Sequence, residues 1–246
     1  MQDYKILFKK YRKDLFNYKE NSFFVSIYRL CAIVIFPIFK NLNPNLMSYL
    51  GLLLGFIALP VSYFFEELSL NIIIIFFLLS FIIDHADGLI ARYQKTTSFH
   101  GRFIDGLFGV LVGGFLHLVL VNYLYNTNNN FFNINFYYIT ILLLPIQHLI
   151  LDRFSALARW CNEISRGKKI KPYLRNKYFN RITSILWDSE HLCIFLFLFP
   201  NFIDVKILIE VFFALSFLAS SFSIILYTIL SKKYFSNVSN QLDNRE

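Results

Sequence analysis

Six apolar stretches, each near the roughly 20 residues a helix needs to cross a bilayer, divide this chain and leave it few ways to fold. They lie at about 45 to 65, 68 to 90, 103 to 125, 136 to 157, 185 to 203 and 207 to 230. With 56% hydrophobic and only 16% charged residues, the 246-residue chain is too continuously apolar for a soluble domain. The expected fold class is all-α: a polytopic membrane protein of six transmembrane helices. Ahead of them, Tyr4, Leu7, Phe8, Tyr11, Leu15 and Tyr18 recur at three- and four-residue steps, with Lys9, Lys10, Arg12 and Lys13 between them. That is the pattern of an amphipathic helix on the membrane surface, although a partner-binding helix would share it. The expected organisation is one domain over 1-246, with 1-40 amphipathic and juxtamembrane and 45-230 the six-helix core.

Charge orients the spans, because Lys and Arg stay on the cytoplasmic side. Of the 24 basic residues, 23 fall in segments 1 to 44, 91 to 102, 152 to 182 and the tail after 231, which alternate to one side. The opposite loops hold Glu66, Glu67, Asp204 and a single base, Lys206. Both termini are therefore expected in the cytoplasm, in the cell (inner) membrane. The net charge of +8 does not point to nucleic acid, since the basic residues flank span ends, where anionic headgroups are nearer. Cys31, Cys161 and Cys193 are scattered, without metal-type spacing, and read as packing residues. The first twenty residues hold charges throughout and no apolar run, so no signal peptide is expected there.

The chemistry concentrates between Asp84 and Asp105. On a helix Asp84, Asp87, Gly88 and Ala91 share one face near the cytoplasmic end of the second span. A short turn makes the third span its antiparallel neighbour, so Asp105 meets the pair at similar depth. Charges inside a span are costly, by about 2.5 to 3.5 kcal/mol each on insertion scales, which marks the cluster as functional. Three converging carboxylates suit a hard divalent cation that also holds substrate phosphates; a proton or cation pathway would use the same acids.

Asp84, Asp87, Gly88, Ala91, Arg92, Gly101 and Asp105 stand in the order D-x2-D-G-x2-A-R-x8-G-x3-D, which resembles the signature of the CDP-alcohol phosphotransferases (class I CDP-alcohol phosphatidyltransferases). Pro44, Asn45, Ser48, Gly51 and Gly55 resemble the stretch that opens that family's first span. The resemblance implies transfer of a phosphoalcohol group, such as phosphatidyl, from a CDP-alcohol to a hydroxyl acceptor with release of CMP, in phospholipid biosynthesis. It implies Mg²⁺ or Mn²⁺ held by Asp84, Asp87 and Asp105. The nucleotide would lie among Asn45, Ser48, Gly88, Ala91, Arg92 and Gly101. CDP-diacylglycerol is the implied donor, a polar alcohol the acceptor, and a homodimer the implied assembly.

The chain departs from the family where a fourth aspartate, credited with deprotonating the acceptor, is replaced by Gly109. Gly106, Gly109 and Gly113 read instead as a small-residue stripe for close helix packing. Glu190, with Asp188 and His191 beside it, is the first candidate for a replacement base; acids that merely cap a helix or pair with Arg181 or Arg159 would look the same. His148 and Asp152, spaced i and i+4, come second. His85, about 100° around the helix from Asp84, and His117, about 18 Å beyond Asp105, read as packed histidines. Arg153, Arg159 and Arg181 are candidates for holding an acceptor phosphate, or are simple cytoplasmic anchors. A member that binds CDP-alcohol or metal but has lost turnover, acting as a partner or regulator, is the alternative function; a transporter is the third reading.

Overall fold

A computed structural model describes residues 23–64, 70–125, 131–164, 177–199 and 204–243. Within them are seven helices and no strand: α1 (Phe23–Phe39), α2 (Pro44–Phe64), α3 (Leu70–Gln94), α4 (Phe99–Tyr125), α5 (Ile134–Ile164), α6 (Lys177–Leu196) and α7 (Val205–Asp243). The expected surface helix over the first twenty residues lies outside the described part. Among the described residues, five helices are long and apolar enough to cross a membrane: Pro44–Phe64, Leu70–Gln94, Phe103–Tyr125, Ile134–Phe154 and Val205–Lys232. The remaining expected crossing corresponds to α6, whose Asp188, Glu190 and polar first turns lower its hydropathy. This is an integral membrane protein, and large apolar side chains such as Phe56, Leu142, Leu218 and Ile225 face outward, as lipid contact requires.

One element differs from expectation. Residues 23–39, read from the sequence as juxtamembrane, form an apolar helix buried through Tyr28, Ala32, Ile33 and Phe36. At 17 residues with Arg29 inside it, α1 is too short and too interrupted to register as a span.

Local chemistry sets the helix ends. Asn43 caps α2, its Oδ1 accepting the Asn45 N–H at 2.9 Å, with Pro44 in the first helical position where a missing N–H costs nothing. Ser98 caps α4 by accepting the Gly101 N–H at 2.9 Å. Between them α3 ends in a Schellman turn: Thr96 N–H reaches back to Ala91 O at 2.9 Å, and Lys95 takes the left-handed conformation at φ 57°. Stop signal, turn and cap occupy only Lys95 to Ser98, which returns α4 directly beside α3.

Helices α1 to α4 pack as one group and α5 to α7 as another, joined by α4 against α5 and by lighter contacts of α1 with α6 and of α4 with α7. The tightest approach is at α2. A Cβ on Gly51 would come within 3.0 Å of Phe108, and one on Gly55 within 3.0 Å of Val112, while Ser80 Oγ donates to Gly51 O at 2.7 Å. These glycines bring α2, α3 and α4 close enough to converge their polar ends. Of the expected Gly106, Gly109, Gly113 stripe only Gly109 sits at a close approach, its Cβ position 3.2 Å from His148 of α5; a Cβ on Gly106 would make an ordinary contact with Asp152 at 3.9 Å, and one on Gly113 would meet no atom within 4 Å.

Candidate active site

At the end of the bundle where α2 begins, α3 ends and α4 begins, a cleft of about 440 Å³ opens. Its walls bring together every residue that the sequence assigned to metal or nucleotide: Asn45 and Ser48 from α2, Asp84, Asp87, Gly88, Ala91 and Arg92 from α3, Gly101 and Asp105 from α4. Helical periodicity placed the α3 residues on one face; the short turn at Lys95 brings Asp105 to the same depth.

The carboxylates differ in surroundings. Asp87 is buried and accepts a short hydrogen bond from Ser48 Oγ. Asp84 is largely buried, and its Oδ1 has no hydrogen-bond partner. Asp105 is exposed at the rim. The three stand close enough for their charges to interact, and the Arg92 guanidinium offsets those of Asp87 and Asp105. Arg92 itself lies over Gly88, where a Cβ would come within 3.4 Å of its Nη1, and Asn45 Oδ1 lies 3.5 Å from where a Gly101 Cβ would sit. Both glycines thus cradle the polar side chains of the cleft.

The donor set is all oxygen and hard, one buried oxygen is unsatisfied, and mutual repulsion needs compensation: this suits a hard divalent cation with phosphate oxygens completing its shell. Among the described residues, no three His, Cys, Asp or Glu side chains stand close enough to form a ready-made cage.

Several lining residues were not foreseen. Arg29 reaches the cleft from α1, and Thr96, Thr97 and Ser98 line it from the turn. A lone arginine in an apolar run was the available signal for the first, and a polar turn between two acid-bearing helices for the others. His85 also lines the cleft, its Nδ1–H donating to Phe81 O at 3.0 Å and lying 3.8 Å from Asp84 Oδ2. The 100° offset had assigned it elsewhere. His117 is the packed histidine it was read as, buried against Phe212 and Phe213 and bonded to Gly113 O at 2.8 Å.

The structure places neither the first base candidates, Glu190 and Asp188, nor the second, His148 and Asp152, among the residues that line this cleft. Asp188 caps α1, its two oxygens accepting the Phe23 and Phe24 N–H groups at 3.0 and 3.1 Å. Glu190 lies beside Ser216 of α7, and His191 bonds Tyr28 Oη at 2.7 Å. Arg153 is exposed on α5; the side chains of Arg159 and Arg181 lie outside the described part.

A model of the CDP-alcohol phosphatidyltransferase family matches residues 41–215, and the chain belongs to that family. The family is one of membrane transferases that move a phosphoalcohol group from a CDP-alcohol in phospholipid synthesis and typically use divalent metal ions. No curated protein and no solved structure matches the chain.

Proposed function

We propose that this protein transfers a phosphatidyl group from CDP-diacylglycerol to the hydroxyl of a polar alcohol, releasing CMP, at the cytoplasmic face of the inner membrane with both termini in the cytoplasm. The observation that carries this reading is the convergence of Asn45, Ser48, Asp84, Asp87, Gly88, Ala91, Arg92, Gly101 and Asp105 on one cleft. Sites of a few hundred Å³ with a few convergent polar groups suit a small ligand such as a nucleotide head.

In this reading Asp84, Asp87 and Asp105 hold Mg²⁺ or Mn²⁺, which supplies Lewis-acid polarisation of the diphosphate and charge neutralisation of the departing CMP. Ser48 holds Asp87 in one rotamer through its hydroxyl. Arg92 adds a planar guanidinium suited to two-point contact with a phosphate. Asn45, backed by Gly101, and the Thr96 to Ser98 turn flank the nucleotide with donors and acceptors. The acceptor's own charge falls to the basic side chains of the α5–α6 side, Arg153, Arg159 and Arg181. Chemistry of this kind needs mainly positioning, which a bundle locked at Gly51 and Gly55 provides.

The test is CMP release by the purified protein from CDP-diacylglycerol across a panel of acceptors. Release that depends on acceptor and on Mg²⁺ or Mn²⁺, stops with EDTA and is lost in Asp105→Asn supports the reading. CDP binding without CMP release under any acceptor would instead support a member that has kept the site and lost turnover.

A further inference from the structure

Position 109 lies one turn beyond Asp105 on the same face of α4, and it is glycine. The space over it is occupied by His148 of α5. A Cβ built on Gly109 would meet the imidazole Cε1 at 3.2 Å, with Nε2 and Nδ1 at 3.8 and 3.9 Å. One turn further along α5, Asp152 Oδ2 stands 3.9 Å from where a Gly106 Cβ would be, and it is near enough to interact electrostatically with the ring. Helices α4 and α5 run antiparallel here, so both α5 side chains overlie the α4 surface that leads from Asp105.

The other histidines are already engaged. His85 bonds Phe81 O, His100 bonds Tyr49, His117 bonds Gly113 O and His191 bonds Tyr28. Among the described residues His148 makes no such bond, and it is only half-buried. The ring makes no hydrogen bond to the described residues, has Asp152 near it, and overlies the α4 face one turn deeper than Asp105, just beyond the cleft lining, a position from which it can exchange a proton.

We propose that His148 accepts the proton of the acceptor hydroxyl, with Asp152 as its charge partner, in the space left by glycine at 109. The inference rests on the transferase reading above. In the step, the hydroxyl oxygen forms a bond to the phosphorus that carries the diacylglycerol. The bond from that phosphorus to the bridging diphosphate oxygen breaks, and its electron pair leaves with CMP. The hydroxyl proton passes to an imidazole nitrogen of His148 and from there to water. Glycine at 109 and histidine at 148 are then complementary: even a Cβ on α4 would press on the present imidazole, which would have to give by a few tenths of an ångström, and a longer side chain would compete for its space.

The experiment follows from that competition for space. Acceptor-dependent CMP release and CDP binding are measured for native protein, His148→Gln, His148→Ala and His148→Ala/Gly109→Asp in one detergent. Losing a general base lowers turnover by about 10²- to 10⁴-fold, so His148→Gln is expected to fall in that range with CDP binding intact. The double variant, in which removal of the ring makes room for a carboxylate, is expected to regain at least about tenfold over His148→Ala. Turnover of His148→Gln within about tenfold of native overturns the proposal, as does a double variant no faster than His148→Ala, or a loss of turnover that comes with loss of CDP binding. No CMP release from the native protein would sink the transferase reading itself, whereas a retained native activity with an unaffected His148 series would sink only this inference.

Discussion

Two sets of acidic side chains sit in the apolar helices of this protein and meet opposite fates. Asp84, Asp87 and Asp105 face a cleft together, with one buried oxygen lacking any partner. Glu210 and Asp188 are fully engaged by the protein. Glu210 accepts Phe131 N–H at 3.0 Å and Tyr137 Oη at 2.5 Å, and Asp188 accepts two N–H groups at the start of α1. The second set replaces water at helix ends and holds elements together; the first is left incomplete. An acid in an apolar helix is therefore a sign of chemistry only when nearby donors have not already claimed its oxygens.

That contrast can be broken by substitution. The largest expected effect is Asp87→Asn: CMP release should fall by more than about 100-fold, since even groups one shell out from a metal cost about 10- to 100-fold. Thermal unfolding in detergent should show this variant no less stable than the native protein. Its mirror image is Glu210→Leu, which leaves the Tyr137 hydroxyl and the Phe131 N–H without their acceptor. At about 1 to 3 kcal/mol for the stranded Tyr137 hydroxyl, which is buried, the unfolding midpoint should drop clearly while turnover per folded molecule is kept. A collapse of turnover at native stability in Glu210→Leu would erase the distinction between the two sets.

Asp188→Ala should lie between them. Loss of a helix cap costs about 0.5 to 2 kcal/mol, and because α1 carries Arg29 into the cleft, CDP binding measured by titration should weaken as well. The smallest effect is expected for Lys95→Gly. It removes the side-chain conflict of a left-handed residue but adds freedom to the unfolded chain, so stability should change by less than about 1 kcal/mol with turnover unaltered.

Much of the cleft was legible because its parts are local. Asp84, Asp87, Gly88 and Ala91 follow from helical periodicity, and Asp105 from the shortness of the turn. What the sequence hid depends on which helices pack together. Arg29 lies 55 positions before Asp84, and no periodicity within α1 could say that it would meet α3. That His148 and Asp152 lie over Gly109 and Gly106 depended likewise on which helix packs against α4 there, which no local pattern in α5 announces. The glycines were legible only in part: spacing marked 106, 109 and 113 for tight packing, and Gly109 does approach α5 closely, but the tightest approaches fall at Gly51 and Gly55, where Phe108 and Val112 fill the gap.

The cap on α1 bears on the order in which the molecule is made. Its two acceptors come from a residue 165 positions downstream, and Tyr28 is bonded to a partner 163 positions away. A ribosome has therefore delivered α1 to α5, and the whole carboxylate cluster, before the side chain that completes the start of α1 exists. Until α6 arrives, α1 can pack on α3 through Ala32, Ile33 and Phe36 but its first turn lacks its cap, so a nascent chain halted before residue 188 would carry the cleft residues with one end of the Arg29 helix unfinished. Assembly, in this protein, closes from the end of the chain back to its beginning.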